Sequence, residues 1–108
     1  MKNANIFCLC LENTLLKKVK DLDYVPVGLG VEKFSSEWLT DKDGENISKK
    51  NSFYGEYTFH YWLWKNYLDK IKTDWVGFCQ YRKFFLSKEV YVDTKKLTFE
   101  NLNLYTLK

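Results

Sequence analysis

The sequence lacks long apolar runs. Residues 5–11, NIFCLCL, form a short apolar stretch, far below the ~20 consecutive residues that a membrane-spanning helix needs. The stretch follows a single Lys and has no cleavage site of small residues, so it does not resemble a signal peptide. The sequence therefore predicts no transmembrane segment and a cytoplasmic protein, while peripheral association with a membrane stays open.

A strong excess of one charge is also missing. Seventeen basic and 14 acidic residues are mixed along the chain and give a net charge of +3, whereas nucleic-acid binding calls for a focused basic stripe. We therefore expect no nucleic-acid partner. The three cysteines, Cys8, Cys10 and Cys79, lie in apolar runs and have only His60 to complete a zinc site. This pattern predicts buried free thiols in a reducing compartment.

Several motifs of known chemistry are absent. The sequence has no G-x-x-x-x-G-K-[ST] phosphate loop, no G-x-G-x-x-G, no G-x-S-x-G and no H-E-x-x-H. It also lacks the D-x-D pair that holds a divalent metal on a diphosphate, since VDTKK offers a single Asp. We therefore expect no metal and no other cofactor, with a divalent metal as the alternative.

What the sequence does contain indicates one folded α/β domain. The chain has 108 residues, of which 19% are aromatic and 45% hydrophobic, a composition unlike that of disordered proteins. Apolar runs predict strands near residues 5–11, 24–29 and 75–80. A helical pattern separates the first two strands, and the longest helix is predicted over residues 53–71. This order is typical of a mostly parallel sheet with flanking helices.

The longest predicted helix carries apolar residues at alternating spacings of four and three. The spacing predicts one buried seam formed by Tyr57, Tyr61, Trp64, Leu68 and Ile71. Further apolar residues widen the seam: Phe59, Trp62, Leu63 and Tyr67. Most of these aromatic side chains are therefore expected in the core, with one or two left to contact a ligand.

Polar residues follow the last predicted strand, where parallel sheets bind their ligands. Arg82 and Lys83 come directly after Gln80 and Tyr81. Arg and Lys suit an oxyanion such as phosphate, and the alternative is that they are simply solvated. Glu56 and His60 are four residues apart on a helix, which fits either an acid–base pair or a surface hydrogen bond.

Two segments, in the same order as three family motifs, carry a resemblance to a known family. Residues 44–66, GENISKKNSFYGEYTFHYWLWKN, and residues 75–85, WVGFCQYRKFF, resemble a bacterial family with a domain of unknown function. That family occurs in capsular and exopolysaccharide gene clusters and is regarded as glycosyltransferase-like. Its motifs are G-x-N-I-S-x-x-N, E-x-T-x-x-Y-W-x-W-K-N and H-Y-R-R-Y-F. In the third motif Gln80 replaces the family's His, and Lys83 replaces its second Arg.

The resemblance implies a glycosyltransferase-like (GT-A-like) fold that binds a nucleotide-sugar donor and a saccharide acceptor. It implies that Arg82 and Lys83 neutralise the leaving diphosphate in place of a metal. The other implied substrate-binding residues would contact hydroxyls or stack on a ring: Asn46, Ser48, Asn51, Tyr54, Glu56, Gln80 and Tyr81. Neither the catalytic residues nor the choice between retaining and inverting chemistry follows from the motifs.

The resemblance also bears on domain organisation. Members of the family are generally much longer than 108 residues, so we expect residues 1–108 to correspond to the N-terminal part of such an enzyme, a single and incomplete glycosyltransferase-like domain. The alternative is a non-catalytic fragment or interaction module without activity of its own.

Overall fold

The computed structural model describes residues 4–81. In this part of the chain four parallel strands form one sheet in the order β3-β2-β1-β4. The strands are β1 (Ala4–Cys10), β2 (Val25–Gly28), β3 (Leu39–Thr40) and β4 (Trp75–Gln80). The helices are α1 (Leu16–Asp21), α2 (Asn51–Tyr54) and α3 (Tyr57–Asn66). The predicted α/β class with a mostly parallel sheet is confirmed.

Strand β1 lies at the centre of the sheet and is covered on both faces. Phe7 pairs with Val25 of β2 on one side and with Phe78 of β4 on the other. Its alternate residues belong to two different clusters: Ile6, Cys8 and Cys10 pack with Val19 and Leu22, whereas Phe7 and Leu9 pack with Phe59, Trp62 and Leu63. An unbroken apolar run over residues 6–10 is therefore what this strand requires, since these residues are buried on both faces of the sheet.

The three cysteines are buried and free, as predicted. Cys8 and Cys79 are register partners in β1 and β4, and the Cys8 and Cys10 sulfur atoms are 3.9 Å apart. Hydrogen bonding to the Cys10 and Cys79 thiols, together with burial, raises the pKa of the Cys8 thiol. Cys8 is therefore an uncharged core residue.

The helix predicted over residues 53–71 is shorter and interrupted. Helix α2 ends at Tyr54, Gly55 adopts φ +56° and ψ −130°, and α3 begins at Tyr57. Glycine takes this conformation readily because it has no Cβ. At the other end α3 stops at Asn66, and a 3₁₀ turn over Leu68–Lys70 follows. The aromatic pattern continues across both breaks, which explains why it predicted one helix.

The predicted seam of this helix is wrong as a description of its buried face. Tyr57 and Trp64 are 65% and 61% exposed, and Leu68 is 46% exposed. The face that packs on the sheet consists of Thr58, Phe59, Trp62 and Leu63. Both sets of residues satisfy helical spacing, so periodicity alone did not distinguish the stripe facing the sheet from the one facing solvent.

Gly28 at the end of β2 provides a stability prediction. A Cβ added there would lie 2.5 Å from Cγ of Phe34, and the Phe34 ring is packed 5.0 Å from the Trp38 ring, centroid to centroid. We expect Gly28→Ala to lower the free energy of unfolding by about 1–3 kcal/mol through overpacking, measured by urea unfolding. The same substitution in a Phe34→Ala background should cost less, and equal costs in both backgrounds would contradict this explanation.

Candidate functional site

A cavity of about 280 Å³ opens at the carboxyl edge of the sheet, where parallel α/β sheets bind ligands. Leu9 and Cys10 come from the end of β1, and Gln80 from the end of β4. Apolar side chains from Leu11 and Leu29 line it as well. Four residues of the predicted site line this cavity: Asn51, Glu56, Gln80 and Tyr81. Residues that are up to 30 positions apart in the sequence therefore meet at this edge of the sheet.

Glu56 is joined to the end of β4 by a side-chain hydrogen bond. Gln80 Nε2 donates to Glu56 Oε2 over 3.1 Å, and the two residues are 24 positions apart. Glu56 is half-buried and lies directly before α3, in the corner that Gly55 creates. His60 instead packs edge-on against Phe78, with ring centroids 4.4 Å apart. The contact of the Glu56 carboxylate is thus with Gln80, across the cavity, and the structure provides no support for an acid–base pair with His60.

Asn51 fixes the corner between α2 and α3. Its Nδ2 donates to the Gly55 carbonyl oxygen over 2.9 Å and to Thr58 Oγ1 over 3.0 Å. Thr58 in turn donates to Oδ2 of Asp41, a carboxylate that is 1% exposed. Because both N–H groups of Asn51 are used within the protein, its amide oxygen is the atom that it can offer to a ligand.

Three other residues of the predicted site do not line the cavity. Asn46 donates from Nδ2 to the carbonyl oxygens of Lys42 and Gly44, over 2.8 and 2.9 Å. Its Oδ1 accepts from the backbone N–H and the hydroxyl of Ser48, over 3.2 and 3.0 Å. The side chains of Asn46 and Ser48 therefore shape their own loop. Tyr54 is 51% exposed on α2.

The remaining two predicted residues, Arg82 and Lys83, lie outside the described residues. The last described residue is Tyr81, which lines the cavity and donates its backbone N–H to the Leu9 carbonyl oxygen over 3.1 Å. The chain thus remains hydrogen-bonded to β1 up to the residue before Arg82.

The residues that sequence reasoning missed hold the loop between β3 and α2 onto α3. Asn66 Nδ2 donates to the Glu45 carbonyl oxygen over 2.7 Å, and Glu45 N donates back to Asn66 Oδ1 over 3.3 Å. Trp62 Nε1 donates to the Asp43 carbonyl oxygen, and Tyr61 OH donates to Glu45 Oε2 over 2.6 Å. The Glu45 carboxylate raises the pKa of the Tyr61 hydroxyl through this bond. Trp62 and Asn66 lie four residues apart on one face of α3. This spacing is the sequence signal that both side chains contact the same neighbouring segment.

Residues 4–81 contain neither a metal-binding cluster nor a membrane-spanning helix. No group of three or more His, Cys, Asp or Glu side chains in this range is placed to hold a metal ion. Over the same range, none of the helices has the length and apolar character needed to cross a bilayer.

The strand order and the cavity define a parallel α/β protein with a candidate ligand site at the carboxyl edge of its sheet. The chain belongs to the DUF4422 family, a domain of unknown function, whose model matches residues 9–107. This membership confirms the resemblance to a family with a domain of unknown function, and the family description states no activity. No curated protein and no solved structure matches the chain significantly.

Proposed function

We propose that this chain is a glycosyltransferase, or the N-terminal part of one, that binds a nucleotide-sugar donor in bacterial capsular or exopolysaccharide biosynthesis. The observation that carries the proposal is the cavity at the carboxyl edge of the sheet, with Asn51, Glu56, Gln80 and Tyr81 at its wall. Two basic residues, Arg82 and Lys83, follow Tyr81 directly in the chain. The family resemblance supplies the reaction class.

The cavity suits one part of such a donor. Ligand sites are typically apolar clefts with a few convergent polar groups, and this one combines leucine side chains with amides, a phenol and a carboxylate. At about 280 Å³ it is near the lower end of the ~300–1,000 Å³ range of small-molecule sites. A nucleoside or a single sugar unit therefore fits the space better than a whole nucleotide-sugar.

The diphosphate is assigned to Arg82 and Lys83. Transfer of the sugar leaves negative charge on the diphosphate, and fixed positive charge next to it stabilises the transition state. A guanidinium binds phosphate through two parallel hydrogen bonds, whereas an ammonium acts as a point charge. In this proposal Arg82 makes the main contact, no metal is needed, and a saccharide accepts the sugar.

The alternative function is a non-catalytic interaction module, and one observation favours it. Three large apolar side chains that are close in sequence are exposed on the described surface, namely Phe53 at 86%, Tyr54 at 51% and Tyr57 at 65%, and exposed apolar residues in contiguous patches mark interaction surfaces. A chain that binds no nucleotide but associates with another protein through these side chains would fit this alternative.

Substitution of Arg82 tests the proposed donor site. We expect Arg82→Ala to weaken binding of uridine or guanosine diphosphate by about ten- to a hundred-fold, because a bidentate charged contact contributes roughly 1.5–3 kcal/mol. Lys83→Ala should weaken it less. Calorimetric titration of the full chain provides the measurement. Lys72→Ala is the matched control, because Lys72 is exposed before the amino end of β4, at the opposite edge of the sheet.

The same titration with a chelator tests the metal-free part of the proposal. Binding should be unchanged when the divalent metals are removed. If binding collapses with chelator and returns with magnesium or manganese, a metal holds the diphosphate and the assignment of Arg82 is wrong. If no nucleotide diphosphate binds under either condition, the donor site itself is refuted.

A further inference from the structure

The described wall of the cavity contains a single charged side chain, and it is negative. Glu56 is the one ionisable carboxylate or ammonium among the described lining residues, and its polar neighbours are Asn51, Gln80 and Tyr81. A phosphate placed against Glu56 would meet a like charge, which is unfavourable in a partly buried site. The chemistry of this wall therefore suits an uncharged ligand group that donates hydrogen bonds.

The Glu56 carboxylate is oriented for such a group. One of its oxygens accepts from Gln80 Nε2 over 3.1 Å, and Gln80 is itself the last residue of β4. An ionised carboxylate offers about four acceptor positions, so the one bond from Gln80, counted among the described residues, leaves others for ligand hydroxyls. Hydroxyl donation to a carboxylate is charge-assisted and about twice as strong as a neutral hydrogen bond. Two adjacent hydroxyls can donate hydrogen bonds to the two oxygens of one carboxylate.

We propose that Glu56, positioned by Gln80, recognises a vicinal diol, namely the 2′- and 3′-hydroxyls of the ribose of the donor nucleotide. This inference rests on the proposed function and deepens it, because it assigns the described cavity to the nucleoside and makes Glu56 a specificity-determining residue for ribose. The apolar side chains of Leu11 and Leu29 line the same cavity and suit the adjoining base. A vicinal diol on the donor sugar would donate the same hydrogen bonds. Comparing ligands with and without the sugar distinguishes it from the ribose diol.

The test compares ribonucleotides with 2′-deoxyribonucleotides. Dissociation constants of uridine and guanosine diphosphate and of their 2′-deoxy forms are measured for the full chain and for Glu56→Gln. We expect the unmodified chain to bind the 2′-deoxy forms about tenfold more weakly or worse, the worth of one charge-assisted hydrogen bond. Glu56→Gln should bind the ribonucleotide about tenfold more weakly than the unmodified chain does. It should bind the ribo and 2′-deoxy forms with similar affinity.

Two further variants separate this role from a structural one. Gln80→Met keeps the length of the side chain but removes the donor to Glu56, and we expect it to reduce discrimination without abolishing binding. Ser52→Ala changes an exposed residue of α2 near the cavity and should leave discrimination unchanged. Far-ultraviolet circular dichroism of every variant should match that of the unmodified chain, so that a change in discrimination reports recognition.

Each remaining outcome is decisive. Equal binding of ribose and deoxyribose forms by the unmodified chain would overturn the ribose assignment while leaving the proposed donor site standing. If a uridine diphosphate sugar loses affinity in Glu56→Gln while uridine diphosphate does not, the diol belongs to the sugar and the ribose assignment is wrong. Full discrimination in Glu56→Gln would refute the role of Glu56. Absence of any nucleotide binding would refute the proposed function and this inference together.

Discussion

Thr58→Val should lower the free energy of unfolding by about 3 kcal/mol, because it removes a hydrogen bond to a buried charged group and leaves that group unsatisfied. Thr58 is fully buried and donates to Oδ2 of Asp41, which is 1% exposed. Within the described residues the other Asp41 oxygen, Oδ1, has no hydrogen-bond partner. The substitution keeps the shape of the side chain, so the loss reports the hydroxyl. Urea unfolding followed by tryptophan fluorescence measures it.

Two controls separate the hydrogen bond from packing. Thr58→Ser keeps the hydroxyl and removes one methyl group, so we expect it to cost about 1 kcal/mol. Asp41→Asn removes the charge that Thr58→Val would leave without a hydrogen bond. The combined variant should therefore be less destabilised than the sum of the two single changes. Equal destabilisation by Ser and Val at position 58 would show that packing, and not the hydroxyl, matters there.

The bond between Thr58 and Asp41 also bears on the candidate site. Asn51 donates to Thr58 and to the Gly55 carbonyl oxygen, and Asn51, Gly55 and Glu56 all line the cavity. The buried hydroxyl thus supports the corner that carries Glu56. A variant that retains folding but loosens this corner should lose nucleotide affinity together with stability.

The sheet was largely predictable from the sequence, because its central strand is buried on both faces. Residues 5–11 and 75–80 are apolar runs, and the observed strands are Ala4–Cys10 and Trp75–Gln80. Strand β3 was not predicted. It has two residues, Leu39 and Thr40, too few for any alternation to show. Its place in the sheet depends on pairing with β2, which is a tertiary contact.

The candidate site was predictable in part, for a physical reason. Gln80 and Tyr81 lie at the cavity because the end of a parallel strand defines their place. Asn46 and Ser48 are equally polar, but their hydrogen bonds stay within their loop. A polar side chain in a loop can hydrogen-bond either to the backbone of its own loop or to a ligand. The sequence does not distinguish these uses, because the difference arises when the loop closes on α3.

Helix α3 shows the largest difference between the predicted and the observed buried face. Substitutions on the predicted face and on the observed face can be compared directly. Phe59 is fully buried, with its ring centroid 5.5 Å from that of Phe7 and 6.0 Å from that of Trp62. Tyr57, two positions earlier, belongs to the predicted seam and is 65% exposed. We expect Phe59→Ala to lower the free energy of unfolding by about 3–5 kcal/mol, whereas Tyr57→Ala should change it by no more than about 0.5 kcal/mol.

Urea unfolding of both variants provides the measurement, and Phe59→Leu makes the series graded. Leu keeps most of the buried volume, so Phe59→Leu should cost about 1.5 kcal/mol or less, and it gives a measurable value even if Phe59→Ala is too unstable to fold. The free energy of unfolding should rise from Phe59→Ala to Phe59→Leu to the unmodified chain, because each step leaves a smaller cavity between α3 and β1. If Tyr57→Ala proved as costly as Phe59→Leu or costlier, the stripe of Tyr57 and Trp64 would face the sheet, and the observed orientation of α3 would be wrong.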